Sequence, residues 1–306
     1  MLSYIFRRLI QTLVVIVFVI FCAFMLVRLA PGNPAKLMLP DEATDEQIRL
    51  MEISLGLDKP LPIQFWNYIS GVARGDLGTS MVYKLPISRL IKERFPNTAK
   101  LAVGSVLVGC LLAIPLGIIS GTRRGSIIDL FCMVFALIGQ SMSQMWLGIL
   151  LIFTFAANLK WLPAMGTGGL QYMILPILTM GYPMAAGLTR IARSGMVDTL
   201  GEDFITATYA KGISRFQVYT KYALRNAIIP VCTMIGITLS HQLAGAVVTE
   251  SVFGWAGMGT LLSQAINARD YPVVQSMLLI SALLLTVINF LVDVVNSIID
   301  PRLSIQ

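Results

Sequence analysis

This 306-residue chain contains few residues that could carry acid, base or metal chemistry. It has one histidine and four cysteines, and only 13% of its residues are charged. A zinc-protease helix needs two histidines four positions apart, which a single histidine cannot supply. The sequence also lacks a CxxC pair and a Walker A phosphate loop. Catalytic zinc of that type and Walker-type ATP binding are therefore excluded for this chain.

Apolar residues are abundant instead. They make up 56% of the chain, and the mean hydropathy is +0.76. A helix that crosses the apolar core of a bilayer needs about twenty such residues. Six stretches are long enough: residues 9–29, 99–120, 127–157, 173–191, 228–248 and 273–299. The sequence predicts an all-α, polytopic membrane protein with six transmembrane helices.

The third stretch, residues 127–157, is longer than one crossing requires. The more polar residues 139–144, GQSMSQ, lie near its middle. They could divide it into two pieces, so its boundaries are the least defined of the six.

The basic residues predict the orientation in the membrane. Arg7 and Arg8 precede about twenty apolar residues, longer than the apolar region of a signal peptide, so we expect a retained first helix. Short cytoplasmic loops are rich in Lys and Arg. Both termini are predicted to be cytoplasmic, together with these residues: Arg7, Arg8, Arg123, Arg124, Arg190, Arg193, Lys211, Arg215, Lys221, Arg225 and Arg302. This asymmetry accounts for the net charge of +7 without nucleic-acid binding.

His241 lies beside Gln242 within the fifth stretch. Polar groups inside a membrane are candidates for a transport pathway, although a lone histidine can equally hydrogen-bond to a neighbouring helix. The four cysteines fall within the predicted spans, where small apolar packing is the simplest role. A metal site in this chain is not expected.

An outer segment, residues 30–97, separates the first two spans. Residues 42–55 and 63–73 show helical spacing, and the second run carries Phe65, Trp66 and Tyr68. Residues 87–94 predict a short helix that leads to Pro96. The segment is too short for an independent domain with a large core. We expect an extracytoplasmic cap with its aromatic side chains at the interface with the membrane helices.

A polar and basic loop, residues 198–227, separates the fourth and fifth spans and is called the cytoplasmic loop below. Residues 202–210 favour a helix, and Gly212 suits the left-handed residue that ends it. Ser214 is a candidate N-cap for a second short helix over residues 214–224, and Pro230 suits the first turn of the next span. Two short helices at an angle would form a docking ridge for another protein. An interfacial elbow without a partner is the alternative.

Two runs in this region carry a family resemblance. Residues 206–212 read TATYAKG, and residues 224–230 read LRNAIIP. They resemble the EAA loop of ABC-importer permeases, specifically those of the dipeptide, oligopeptide, nickel and glutathione family. The resemblance covers nearly the whole chain, and further matching runs are residues 29–34, 55–61, 74–80, 161–163, 174–176, 269–275, 292–293 and 300–302.

The chain departs from the family pattern at a few positions. Thr206 replaces a common Glu, and Arg225 replaces a common Pro. The third span has Ser141-Met142-Ser143 where the family often has Ser-x-Pro, and the missing proline argues against a kink there. These departures leave the resemblance intact.

The resemblance implies a type I importer transmembrane domain over residues 1–306, located in the cytoplasmic (inner) membrane in contact with lipid. It implies three kinds of partner: a second homologous permease, two cytoplasmic ATPases that bind ATP and Mg²⁺, and an extracytoplasmic binding protein. It also implies that this chain is not an enzyme and binds no cofactor of its own. The residues expected to contact the ATPases are Thr206, Ala207, Lys211, Gly212, Ile213, Phe216, Arg225 and Pro230. The residues expected to line the translocation pathway are His241, Gln242 and Glu250.

Two other functions remain open from the residues alone, namely an ion-coupled secondary carrier and a non-transporting membrane scaffold. A proton-coupled carrier usually buries several ionisable groups. Within the predicted spans the acidic residues are only Asp129 and Asp293, which favours a pathway driven from outside this chain. The substrate class is expected to be peptides or a similar small solute.

Overall fold

The computed structural model describes residues 2–29, 44–54 and 56–299. These residues are mostly helical, and they form no β-strand beyond one isolated bridge between Thr79 and Pro86. The helices are α1 (Leu2–Leu29), α2 (Asp45–Ser54), α3 (Leu61–Ala73), α4 (Ile87–Thr122), α5 (Ile127–Ser141), α6 (Gln144–Asn158), α7 (Leu170–Leu200), α8 (Asp203–Ala210), α9 (Arg215–Gly245), α10 (Val247–Val252), α11 (Met258–Asn267) and α12 (Tyr271–Ile299). The predicted all-α fold is confirmed.

Four of these helices, α4, α7, α9 and α12, are long and apolar enough to cross a membrane. The pair α5 and α6 passes the same test only if it counts as one span, and α1 contributes a shorter apolar stretch, Leu9–Met25. The apolar helices coincide with the six predicted stretches. The number of crossings and the side on which each terminus lies remain predictions. Parts of four expected features lie outside the described residues: the outer segment before residue 44, and the runs 29–34, 55–61 (its first residue) and 300–302.

The third predicted span is sharply bent. The axes of α5 and α6 differ by 101°, and the break consists of Met142 and Ser143, both with extended backbone angles. The expectation that a missing proline disfavours a kink was wrong. Two consecutive residues with extended backbone angles are enough to end one helix and begin the next. A proline, which lacks a backbone N–H, is therefore not required for the bend.

Proline interrupts the helices less than the sequence predicted. Pro96 lies inside α4, so the expected short helix over residues 87–94 is instead the beginning of a 36-residue helix. Pro230 likewise lies inside α9 rather than in the first turn of the fifth span. The second short helix of the cytoplasmic loop is therefore continuous with that span. A π-helical section, Val218–Ala223, lies ahead of Pro230, and such local adjustments help membrane helices to accommodate proline.

Small residues bring α4 and α7 into close contact. A Cβ added to Gly117 would lie 2.5 Å from Ala192 Cβ, and one added to Gly121 would lie 2.6 Å from Met196 Cβ. These glycines allow the close packing of α4 on α7, because a larger side chain would force the two helices apart.

The described part of the outer segment packs onto the helices in two places. Phe65 and Tyr68 of α3 lie against Phe24 of α1, with ring centroids 5.2 and 5.9 Å apart. The neighbouring Trp66 is exposed, so it does not share the interface expected for the three aromatic residues.

A buried carboxylate anchors the loop between α3 and α4 to the start of α12. Asp270 accepts hydrogen bonds from the Ser80 hydroxyl and from the N–H groups of Met81 and Val82, the latter two at 3.1 and 3.2 Å. Two runs that are far apart in sequence, residues 74–80 and 269–275, thus form one contact. Each of them was among the runs that resemble the permease family.

Candidate functional site: a cytoplasmic loop and a membrane groove

The cytoplasmic loop turns at Gly212, as predicted. Helix α8 ends at Ala210, and Gly212 follows with φ +76°, a left-handed conformation that glycine adopts without steric cost. Its N–H donates to the carbonyl of Tyr209 at 2.9 Å. Ser214 then caps α9, its hydroxyl accepting from the N–H of Gln217 at 3.5 Å.

The inner face of the loop is held by its own hydrophobic cluster. Ile205 of α8 and Val218 of α9 are buried with Met196, near the end of α7. Helix α9 also contacts α7 closely, because a Cβ on Gly195 would lie 2.9 Å from the carbonyl oxygen of Ala227. The loop is therefore an ordered extension of two membrane helices.

The outer face of the loop is open. Phe216 exposes 75% of its surface, and Phe204 and Tyr209 are also exposed. Among the residues predicted to contact an ATPase, Ile213 is half-buried and the others are exposed: Thr206, Ala207, Lys211, Gly212, Phe216, Arg225 and Pro230. The exposed aromatic residues, with the exposed cations Lys211 and Arg225 on the same loop, are suited to a protein partner.

A groove of about 550 Å³ lies on the membrane part of the chain. Helix α9 and the start of α10 form most of its lining, Gln144 enters from α6, and Met180 enters from α7. His241 and Gln242 both line it, so the structure brings together two of the three residues predicted for a pathway. The side chain of His241 is exposed.

Gln242 is fixed within this groove. It is 8% exposed, and its Oε1 accepts from the Ser105 hydroxyl of α4 at 2.6 Å. Helix α9 ends at Gly245, which has φ +127°, and α10 begins two residues later. The groove therefore combines a buried, hydrogen-bonded amide at Gln242 with an exposed imidazole at His241.

Glu250, the third residue expected in the pathway, does not line this groove. It is fully buried; its Oε1 accepts from the Thr98 hydroxyl at 2.6 Å, and its Oε2 accepts from the N–H of Thr260 at 3.0 Å. Burial raises the pKa of the Glu250 carboxyl, and the Thr98 and Thr260 hydrogen bonds oppose that rise. A Cβ on Gly257 would overlap the carboxylate. Glu250 thus ties α10 to α4 and α11.

Two partners in these contacts were not predicted from the sequence. Thr98 and Ser105 lie on α4, far along the chain from Glu250 and Gln242. A small polar residue within an apolar run is a weak signal by itself, because Ser and Thr can also bond to their own helix backbone.

Metal binding finds no support in the described part of the chain, where no three His, Cys, Asp or Glu side chains converge. That the chain binds no cofactor of its own remains a prediction.

Comparison with known proteins identifies the family. Residues 113–305 match the model of the binding-protein-dependent transport system inner membrane component, and residues 1–102 match the model of the N-terminal part of such components. The chain belongs to this permease family. It is 40% identical over 303 residues to the glutathione transport system permease protein GsiC of Salmonella typhimurium strain LT2 and to that of Escherichia coli strain K12, covering 99% of each chain.

The fold is also found in a solved structure. The inward-facing MetNI methionine ABC transporter matches with a TM-score of 0.59 and 19% identity, over 69% of this chain and 96% of that one. The chain therefore has the fold of a type I ABC-importer transmembrane domain. As a permease subunit it is not catalytic, it lies in the inner membrane, and ATPase and binding-protein partners complete its transporter. Neither the ion-coupled carrier nor the scaffold is favoured.

Proposed function

We propose that this permease subunit forms half of a pathway for short peptides of the size of glutathione. A second, homologous permease would supply the other half, and two ATPases would dock on the paired cytoplasmic loops. The groove lined by His241 and Gln242 carries the pathway assignment, because it brings polar side chains together on the membrane part of the chain. The names of the relatives, glutathione permeases at 40% identity, support the substrate class.

The lining of the groove suits a transient stop for such a peptide. Gln144, Thr238, His241 and Gln242 supply polar groups that can pair with peptide amides and carboxylates. Met180, Met234 and Ile237 are apolar neighbours. Apart from His241, none of the residues that line the groove carries an ionisable side chain. A weakly charged lining lets a peptide leave again, which a conduit requires.

The exposed face of the cytoplasmic loop supports the coupling role. ATP binding would close the ATPases and move α8, which sits between the ends of α7 and α9. Since the loop shares a buried cluster with α7, this movement would reach the membrane helices as a displacement of packed elements.

Uptake by the reconstituted transporter tests this function. The chain, its partner permease, the ATPases and the binding protein are placed in proteoliposomes, and uptake of labelled glutathione and of a neutral dipeptide is measured with and without MgATP. We expect ATP-dependent uptake of at least one of them, insensitive to a protonophore. Uptake driven by an ion gradient without ATP would contradict the proposal, as would ATP hydrolysis without uptake of either compound.

The groove assignment has a separate test within the same system. Gln242→Leu removes an amide that faces the groove, and Gln47→Leu provides a control, since Gln47 is exposed on α2 outside the groove. We expect Gln242→Leu to lower uptake while Gln47→Leu retains it. Equal uptake by both variants would remove Gln242 from the pathway.

A further inference from the structure

An ion pair with a buried carboxylate and a partly exposed arginine joins three parts of the chain beside the cytoplasmic loop. Asp129, near the start of α5, is 5% exposed. Arg193 of α7 binds it with two parallel hydrogen bonds, Nε to Oδ1 at 2.7 Å and Nη2 to Oδ2 at 2.8 Å. The Ser120 hydroxyl of α4 donates to Oδ1 at 2.5 Å, and the N–H of Gly125 donates to Oδ2 at 2.9 Å. Each carboxylate oxygen therefore accepts two hydrogen bonds.

The arginine lies one turn from the cluster that holds the loop. Met196, three residues after Arg193, is buried against Ile205 of α8 and Val218 of α9. Side chains three residues apart lie on the same side of a helix. A displacement of α8 that moves this part of α7 must therefore act on Arg193.

The carboxylate lies on the helix that leads to the groove. Helix α5 begins just before Asp129 and ends at the break formed by Met142 and Ser143; Gln144, the next residue, lines the groove. Further along α5, the Tyr182 hydroxyl of α7 donates to the carbonyl of Phe135 at 3.1 Å. The two helices are thus joined at both a charged and a neutral contact.

We propose that Asp129 and Arg193 are a positioning pair that couples the cytoplasmic loop to the groove. The pair makes the cytoplasmic end of α4, helix α5 and the end of α7 move as one body when ATPases displace α8. Its geometry suits this role, because a bidentate arginine–carboxylate contact fixes direction as well as distance. The pair rests on the proposed function, in which ATP drives the loop.

A cysteine reporter in the groove tests the pair without knowledge of the substrate. The four native cysteines are replaced, Ile237→Cys is introduced, and the complete transporter is placed in proteoliposomes. The rate of maleimide labelling is measured with and without ATP and vanadate. The variants are Arg193→Gln and Arg193→Lys. Arg124→Gln, which removes an exposed cation from the loop between α4 and α5, is the matched control. ATP hydrolysis and the amount of assembled complex are measured for each preparation.

With the native Arg193, and in the Arg124→Gln control, we expect ATP and vanadate to change the labelling rate by about fivefold or more, the range of ordinary coupling between sites. In Arg193→Gln the rates with and without nucleotide should become similar while ATP hydrolysis persists. Arg193→Lys should be intermediate, because lysine keeps the charge but not the bidentate geometry. It also provides a result if Arg193→Gln does not assemble.

The failures of the two proposals are distinguishable. If the chain with native Arg193 shows no nucleotide-dependent change in labelling, ATP-driven gating itself is refuted and the pair loses its role with it. If that chain responds and both Arg193 variants respond equally, the proposed function stands and the positioning pair is refuted. Loss of assembled complex with an unchanged labelling ratio in the remainder would show a purely structural ion pair and would also refute it.

Discussion

The turn at Gly212 determines how α8 is presented, and its substitution has a calculable cost. Gly212 has φ +76°, and an added Cβ would meet no atom within 4 Å. Alanine therefore brings no clash, and its cost is the left-handed backbone, about 1–2 kcal/mol. A change of that size lowers the population of the native turn about 5- to 30-fold relative to its alternatives. Proline cannot adopt this φ and removes the N–H that donates to Tyr209 at 2.9 Å, so its cost is larger.

The assay compares peptide uptake and ATP hydrolysis at equal amounts of assembled transporter. We expect Gly212→Ala to reduce uptake and Gly212→Pro to abolish it without loss of membrane insertion. Gly212→Asn should lie between the native chain and Gly212→Ala, since asparagine tolerates left-handed angles. Gly201→Ala is the control: Gly201 borders α8 at its other end but has φ −81°, so alanine should leave uptake unchanged.

Two results would refute this reasoning. Equal losses in Gly201→Ala and Gly212→Ala would mean that any change beside α8 matters and that the left-handed turn does not. Normal uptake by Gly212→Pro would mean that the presentation of α8 does not drive transport.

Three further predictions concern the membrane and outer parts. Gly236→Ala should destabilise the purified transporter by about 1–3 kcal/mol through overpacking, because its Cβ would overlap Val292. The destabilisation is measured as a lower melting temperature. Asp270→Asn should destabilise it by about 1.5–3 kcal/mol through weakened charged hydrogen bonds, whereas Asp58→Asn at an exposed site should not. Burial raises the pKa of Glu250, so its contribution to stability is present below the ordinary value of about 4.3 and is lost as pH rises through the raised pKa. Glu250→Gln should make the melting temperature less dependent on pH between the ordinary and the raised pKa. An unchanged pH dependence would contradict the raised pKa of Glu250.

The sequence predicted best the features that depend on neighbouring residues. Gly212 and Ser214 were placed correctly because a left-handed C′ residue and an N-cap are local requirements. The long apolar runs predicted the membrane helices for a similar reason, since length and hydropathy alone decide whether a helix suits a bilayer.

Features that depend on distant contacts were missed. Pro96 and Pro230 were expected at helix boundaries, but both helices are continuous through them, and a π-helical section precedes Pro230. The break at Met142 and Ser143 needs only two residues with extended backbone angles. Methionine and serine side chains do not predict that conformation.

The site residues show the same division. His241 and Gln242 share a groove because they are adjacent on one helix. Glu250 continues from that region in sequence, yet the turn at Gly245 directs the chain away, and Thr98 provides a buried partner 152 residues distant. Arg193 and Asp129 are 64 residues apart, so their pairing also required the folded chain.

Contact between the cytoplasmic loop and an ATPase tests the central claim most directly. A photoreactive phenylalanine analogue is placed at Phe216, which is 75% exposed, or at Leu170, which is 81% exposed at the opposite end of α7. After irradiation of the assembled transporter in membranes, we predict that the analogue at position 216 cross-links to an ATPase subunit and that the analogue at position 170 does not. ATPase cross-links from position 170, or none from position 216 in a complex that hydrolyses ATP, would contradict the account.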